Sequence, residues 1–172
     1  MKNYKTFLLL LLTPFFLSTI HNKKRKNNAE VAGKWSGTVS FLEKRTGAEA
    51  FISEWRMDAT IINDTGTVIH SSKYSDSQGS GRCTNQGKTQ LEVGIDEEKN
   101  TYSIMVYVPG CYGTQTRGGV TTPYPVTDET AITVDNQTIG SNRNSLSGRT
   151  HKIEQVGDLQ ITTIYDWTLT KR

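Results

Sequence analysis

The chain has 172 residues, with 20 Lys and Arg against 17 Asp and Glu, three His and two Cys. That length suits one domain around one core, and the formal charge of +3 is unevenly placed. Six of the 20 cations precede Asn27 and no acid does, which leaves 14 basic against 17 acidic residues beyond it, a net of −3. The basic excess therefore gives no footing for nucleic-acid binding.

The first residues carry Lys2 and Lys5 and no acid, and an apolar run, Phe7 to Ile20, comes next. This is the layout of a secretory signal. The run is short for a membrane span, which wants about 20 apolar residues. No cysteine stands after it to accept a lipid, and Lys23-Lys24-Arg25-Lys26 flank it. The expected organisation is a signal helix with its basic flank over 1–28 and a single β domain over 29–172. Cleavage is expected between Ser18 and Ala29, giving a periplasmic or secreted protein; the alternative is an uncleaved N-terminus that tethers the domain to a membrane.

From Trp35 the chain alternates with period two, the signature of strands with one buried face. Trp35, Gly37, Val39 and Phe41 share a face, as do Phe51, Trp55, Met57, Ala59 and Ile61. Turn signals at Asn63–Gly66, Asp96–Asn100, Asp135-Asn136 and Gly157-Asp158 divide the rest of the chain. They bound strands at Thr67–Tyr74, Thr89–Ile95, Thr101–Val108, Thr130–Val134 and Ser145–Glu154. The last, from Leu159 to Leu169, sets Leu159, Ile161, Tyr165, Trp167 and Leu169 on one face. Eight strands joined in series predict an all-β, antiparallel up-and-down barrel, since closure removes the exposed edges of a meander. The two longest connections, 75–88 and 109–127, fall at the same end as the 43–48 and 155–158 turns. That end is the expected working end.

Cys83 and Cys111 flank the hairpin that turns at Asp96–Asn100. Pairing Leu91 with Ile104 sets them one residue out of register, a slip that a bulge at Pro109-Gly110 corrects. In an oxidising compartment this predicts a structural disulfide at the base of the two long loops.

Chemistry is sparse. The sequence has no Gly-x-Ser-x-Gly, no His-Glu-x-x-His, no phosphate-binding glycine loop and no dinucleotide fingerprint. His70 and His151 lie on separate strands, and Asp96, Glu97 and Glu98 crowd a solvated turn beside Lys99. No enzyme, no metal and no cofactor are expected. Trp35, Trp55 and Trp167 read as core. Tyr112 and Tyr124, with Arg117 near them on the 109–127 loop, either form a binding surface or pin that loop to the scaffold.

Gly33-Lys34-Trp35 on the first strand of an eight-strand meander resembles the calycins, the group of lipocalins, fatty-acid-binding proteins and avidins. The resemblance implies that Trp35 closes one end of a barrel under a basic residue near the chain end, here Lys171 or Arg172. It also implies ligand entry at the opposite end. The leading expectation is thus an exported, lipocalin-like protein holding a small, largely apolar ligand, with His70 and Arg149 as interior polar groups. The alternative is an extracytoplasmic interaction module with a solid core, binding a protein or glycan through 75–88 and 109–127.

Overall fold

The computed structural model describes residues 33–48, 50–126 and 130–172; the expected signal helix and the cleavage or tethering of 1–28 lie outside them. The all-β expectation holds, but the strands number ten among the described residues. They are β1 (Trp35–Thr46), β2 (Ile52–Ile62), β3 (Thr65–Asp76), β4 (Gly79–Asp96) and β5 (Thr101–Val108). Then come β6 (Cys111–Arg117), β7 (Val120–Val126), β8 (Thr130–Thr138), β9 (Ser145–Val156) and β10 (Leu159–Lys171). All pairings are antiparallel.

β1 to β4 succeed one another across the sheet, and β10 returns to pair with β1, with β9 outside it. β4 is 18 residues long and pairs with β3 over Gly79–Gln90. Its other edge is shared. Leu91–Asp96 pair with β5, and Gly79–Cys83 pair with β6. β5 and β6 are therefore successive pieces along one side of β4, and β8 and β7 extend them outward in the same way. No ladder joins β8 to β9 among the described residues, so the sheet is open there and barrel closure is not made.

The segments expected as long loops are strands. Residues 75–88 run through a tight turn at Ser77-Gln78 into β4, and 111–126 form the β6–β7 hairpin. Gly118 and Gly119, both at positive φ, make that hairpin's two-residue turn, the geometry that matches strand twist. The turn at Asn63-Asp64 has the same positive φ pair. The Asp64 carboxylate accepts from the Trp35 amide at 2.7 Å, and the Asp64 carbonyl accepts from the Leu91 amide at 2.8 Å, so one turn ties β1 to β4.

Inner-facing side chains fill one half of the sheet. Trp35, Val39, Met57, Ile61, Val68, Ile104, Val106, Val108, Leu146, Trp167 and Leu169 are all buried in a single core. The β4–β5 hairpin and β8 cover this half, and the Trp167 indole donates to the Tyr102 hydroxyl at 2.8 Å across it. Trp35 and Trp167 are core, as their phase predicts. Lys171 lies opposite Trp35 in the β1–β10 register, and a Cβ on Gly33 would meet the Lys171 side chain.

The break between β5 and β6 is a corner. Leu91 pairs with Val106, not with Ile104 as expected, and Cys83 pairs with Gly113. The register slips by one residue between the two halves, across Pro109-Gly110. Carbonyls that leave a ladder need other donors. Here the Thr89 hydroxyl donates to the Tyr107 carbonyl at 2.5 Å, His70 Nδ1 bonds the Pro109 carbonyl at 2.8 Å, and the Asn85 amide donates to the Gly110 carbonyl at 2.7 Å. The expected Cys83–Cys111 disulfide forms beside them, with the Cα atoms 5.6 Å apart.

Candidate functional site

The half of the inner face that the β4–β5 hairpin leaves uncovered carries two aromatic groups. Register fixes who shares the face. Thr163, Glu43, Trp55, Ser72, Cys83, Gly113 and Tyr124 form one row across seven strands. In the first group Phe41 sits edge-on between Trp55 and Tyr165, with ring centroids 4.9 and 5.0 Å away. Phe41 is buried, while Trp55 and Tyr165 are half-buried. Between Trp55 and Tyr124 the row contains only small side chains, Ser72, Cys83 and Gly113, which form a floor.

The second group centres on Tyr74. Its ring lies over Gly81, where a Cβ would come within 2.5 Å of the ring, so glycine is what lets the tyrosine lie down. The ring meets Tyr124 edge-on at 5.2 Å, and the Tyr74 hydroxyl donates to Gln115 Oε1 at 2.7 Å. Arg117 donates from Nε to the Tyr74 hydroxyl at 3.2 Å and from a terminal nitrogen to Asp76 at 2.9 Å. Its guanidinium carbon is 5.3 Å from the Tyr74 ring centroid. The Tyr74 hydroxyl and the Asp76 carboxylate hold the Arg117 pKa above its ordinary value. The cluster is locally neutral and offers a carboxylate, a guanidinium and an amide beside two aromatic rings.

His70 joins this face to the corner. The Trp55 indole N–H, which can only donate, bonds His70 Nε2, and the Pro109 carbonyl, which can only accept, bonds Nδ1. Both partners are satisfied only by neutral imidazole with its proton on Nδ1. Burial pushes the His70 pKa down, partly offset by the Pro109 bond. The folded state therefore holds fewer protons than the unfolded chain at acid pH. His70 stabilises the fold above its ordinary pKa of about 6.5, and that contribution is lost as pH falls below it. Denaturant titrations from pH 7.5 to 5 should show a slope of at most about 1.4 kcal/mol per pH unit. That slope should be absent in His70→Gln; an equal slope in the variant would assign the effect elsewhere.

Comparison with family models, with characterised proteins and with solved structures finds no match.

The structure brings two of the sequence-selected residues together, Arg117 and Tyr124, with Tyr74 as their hub. Tyr112 points to the opposite face, 79% exposed, because it neighbours the inner-facing Cys111 and Gly113 on a strand. Arg149, expected inside, is on the outer face as well, 4.0 Å from its cross-strand partner Asp166. His70 is fully buried, its two ring nitrogens spent on scaffold groups. Sequence reasoning did not single out Tyr74, Gln115 and Asp76. Tyr74 keeps the phase of Val68 and His70, and this was the available signal. A separate groove of about 850 Å³ opens at the corner, lined by Ile62, Lys88, Glu92, Tyr107 and Pro109 among others. Among the described residues no group of three or more His, Cys, Asp or Glu is placed to hold a metal ion.

Proposed function

We propose that this is an exported binding module that holds a glycan against the uncovered half of its inner face, between the Trp55–Phe41–Tyr165 and Tyr74–Tyr124 groups. One observation carries the reading: an aromatic, locally neutral cluster in which Gln115, Arg117 and Asp76 already hold planar hydrogen-bonding groups beside the half-buried rings of Tyr74 and Tyr124. Aromatic rings accept the apolar C–H face of a sugar, and planar amide, guanidinium and carboxylate groups match its hydroxyls. Charge balance favours a neutral polyol over a polyanion. Export is supported by the disulfide, a bond that persists in oxidising compartments.

The order of strands across the open sheet and Lys171 opposite Trp35 lend some support to the calycin resemblance. An apolar ligand held inside has less support, since large side chains fill the covered half. A panel of immobilised neutral oligosaccharides tests the proposal. The parent chain should retain at least one, and Tyr74→Ala/Tyr124→Ala should weaken that retention at least ten-fold with both proteins folded. Retention of none by the folded parent chain would sink the reading.

A further inference from the structure

Two of the free edges of the sheet, those of β7 and β9, are built differently. The two-residue turn at Gly118-Gly119 fixes which β7 groups face β6: those of Val120, Thr122, Tyr124 and Val126. Thr121, Pro123 and Pro125 face the open edge, and two of these three have no N–H to offer. Proline on an edge is a standard block to strand addition.

β9 has no such block. Its two-residue turn at Gly157-Asp158 assigns Val156, Glu154, Lys152 and Thr150 to the β10 ladder. The amide of Lys171 bonding the Asn144 carbonyl extends the same parity. Ser147, Arg149, His151, Ile153 and Gln155 therefore direct complete N–H and C=O pairs to the open edge. From His151 to Val156 every residue is exposed, and Ile153 and Val156 are each 58% exposed.

This edge is complementary to itself. An antiparallel second copy centred on Ile153 sets Ile153 against the second copy's Ile153 and His151 against the second copy's Gln155. Both are hydrogen-bonded pairings, because all these groups face the edge. Lys152 then meets the second copy's Glu154, and Glu154 meets the second copy's Lys152. These are the non-hydrogen-bonded positions, where side chains approach most closely. Lys152 and Glu154 already pair at 2.5 Å within the strand, so both are on one face with their charged ends together. We propose that β9 pairs with β9 of a second copy, making a two-fold dimer with one continuous sheet. The proposal does not depend on glycan binding.

Sedimentation equilibrium of the purified chain over a concentration series tests it, with circular dichroism to confirm folding. The parent chain should dimerise. Lys152→Glu, which sets like charges opposite each other, should weaken the dimer at least ten-fold, and Lys152→Glu/Glu154→Lys should restore it. Ile153→Pro removes an edge N–H that the β9–β10 ladder does not use, the device present on β7, and should also give monomer. A parent chain that is monomeric throughout, or a dimer indifferent to both Lys152→Glu and Ile153→Pro, would overturn the proposal. So would a charge-swapped double variant no better than Lys152→Glu.

Discussion

Replacing Trp167 by alanine should destabilise the protein by about 3–5 kcal/mol, the largest effect expected of any single side chain here. The indole is 1% exposed in the middle of the core, and Gly148 lies against it so closely that a Cβ there would come within 2.4 Å of the ring. Its N–H also satisfies the Tyr102 hydroxyl, the bond that joins β10 to the covering β4–β5 hairpin. Trp167→Phe separates the two contributions. It keeps most of the volume but leaves a buried hydroxyl without its donor, at a cost of about 1–3 kcal/mol. Denaturant melts of both variants check the order. Equal stability of Trp167→Phe and the parent chain would show that the indole bond contributes nothing.

Removing the disulfide by Cys83→Ser/Cys111→Ser should cost about 3–4 kcal/mol, from the loop-closure entropy of a cross-link spanning 28 residues. The effect should be local as well as global. The bridge lies where β4 turns from β6 to β5, and β6 is held to β4 by five paired positions only. Loosening it frees Gln115, Arg117 and Tyr124 from Tyr74, so the proposed glycan affinity should fall at concentrations of denaturant where the core stays intact. Amide exchange in β6 and β7 should rise before exchange in β1 and β10. Uniform acceleration across all strands would show instead that the bridge supports only the global fold.

The strands legible in the sequence are those whose inner face meets other large apolar side chains. β1, β2 and β10 pack Trp, Val, Phe, Met and Leu against one another, so alternation survives in their residue types. The strands that read as loops, 79–88 and 111–126, have an inner face interrupted by Gly79, Gly81, Gly87 and Gly113. There the partner's bulk, Tyr74 over Gly81 and Pro109 over Gly87, supplies the packing. Such strands have no apolar phase to read. The eight-strand expectation falls two short of the ten present among the described residues because β6 and β7, rich in glycine, threonine and proline, read as one long loop. The site is half legible for the same reason. Tyr124 and Arg117 stand out as unusual residues in an apparent loop, but their face, and the exclusion of Tyr112 from it, depends on a strand parity hidden by the glycines.

The place of β1 sets an order of events. It lies in the interior of the sheet, with β2 on one side and β10 on the other, and its twelve residues, Trp35 to Thr46, are all paired with β10. Pairing with β2 needs only a short turn, whereas pairing with β10 must wait for a strand far along the sequence. Until the thirteen residues of β10 emerge, β1 presents a long bare edge, and the Trp35 core has no Trp167 or Leu169 to close it. A growing chain thus stays unfinished until β10 has been made. A chain that must be threaded through a membrane before folding gains from that delay, while one released early, short of β10, would carry an open apolar edge prone to aggregation.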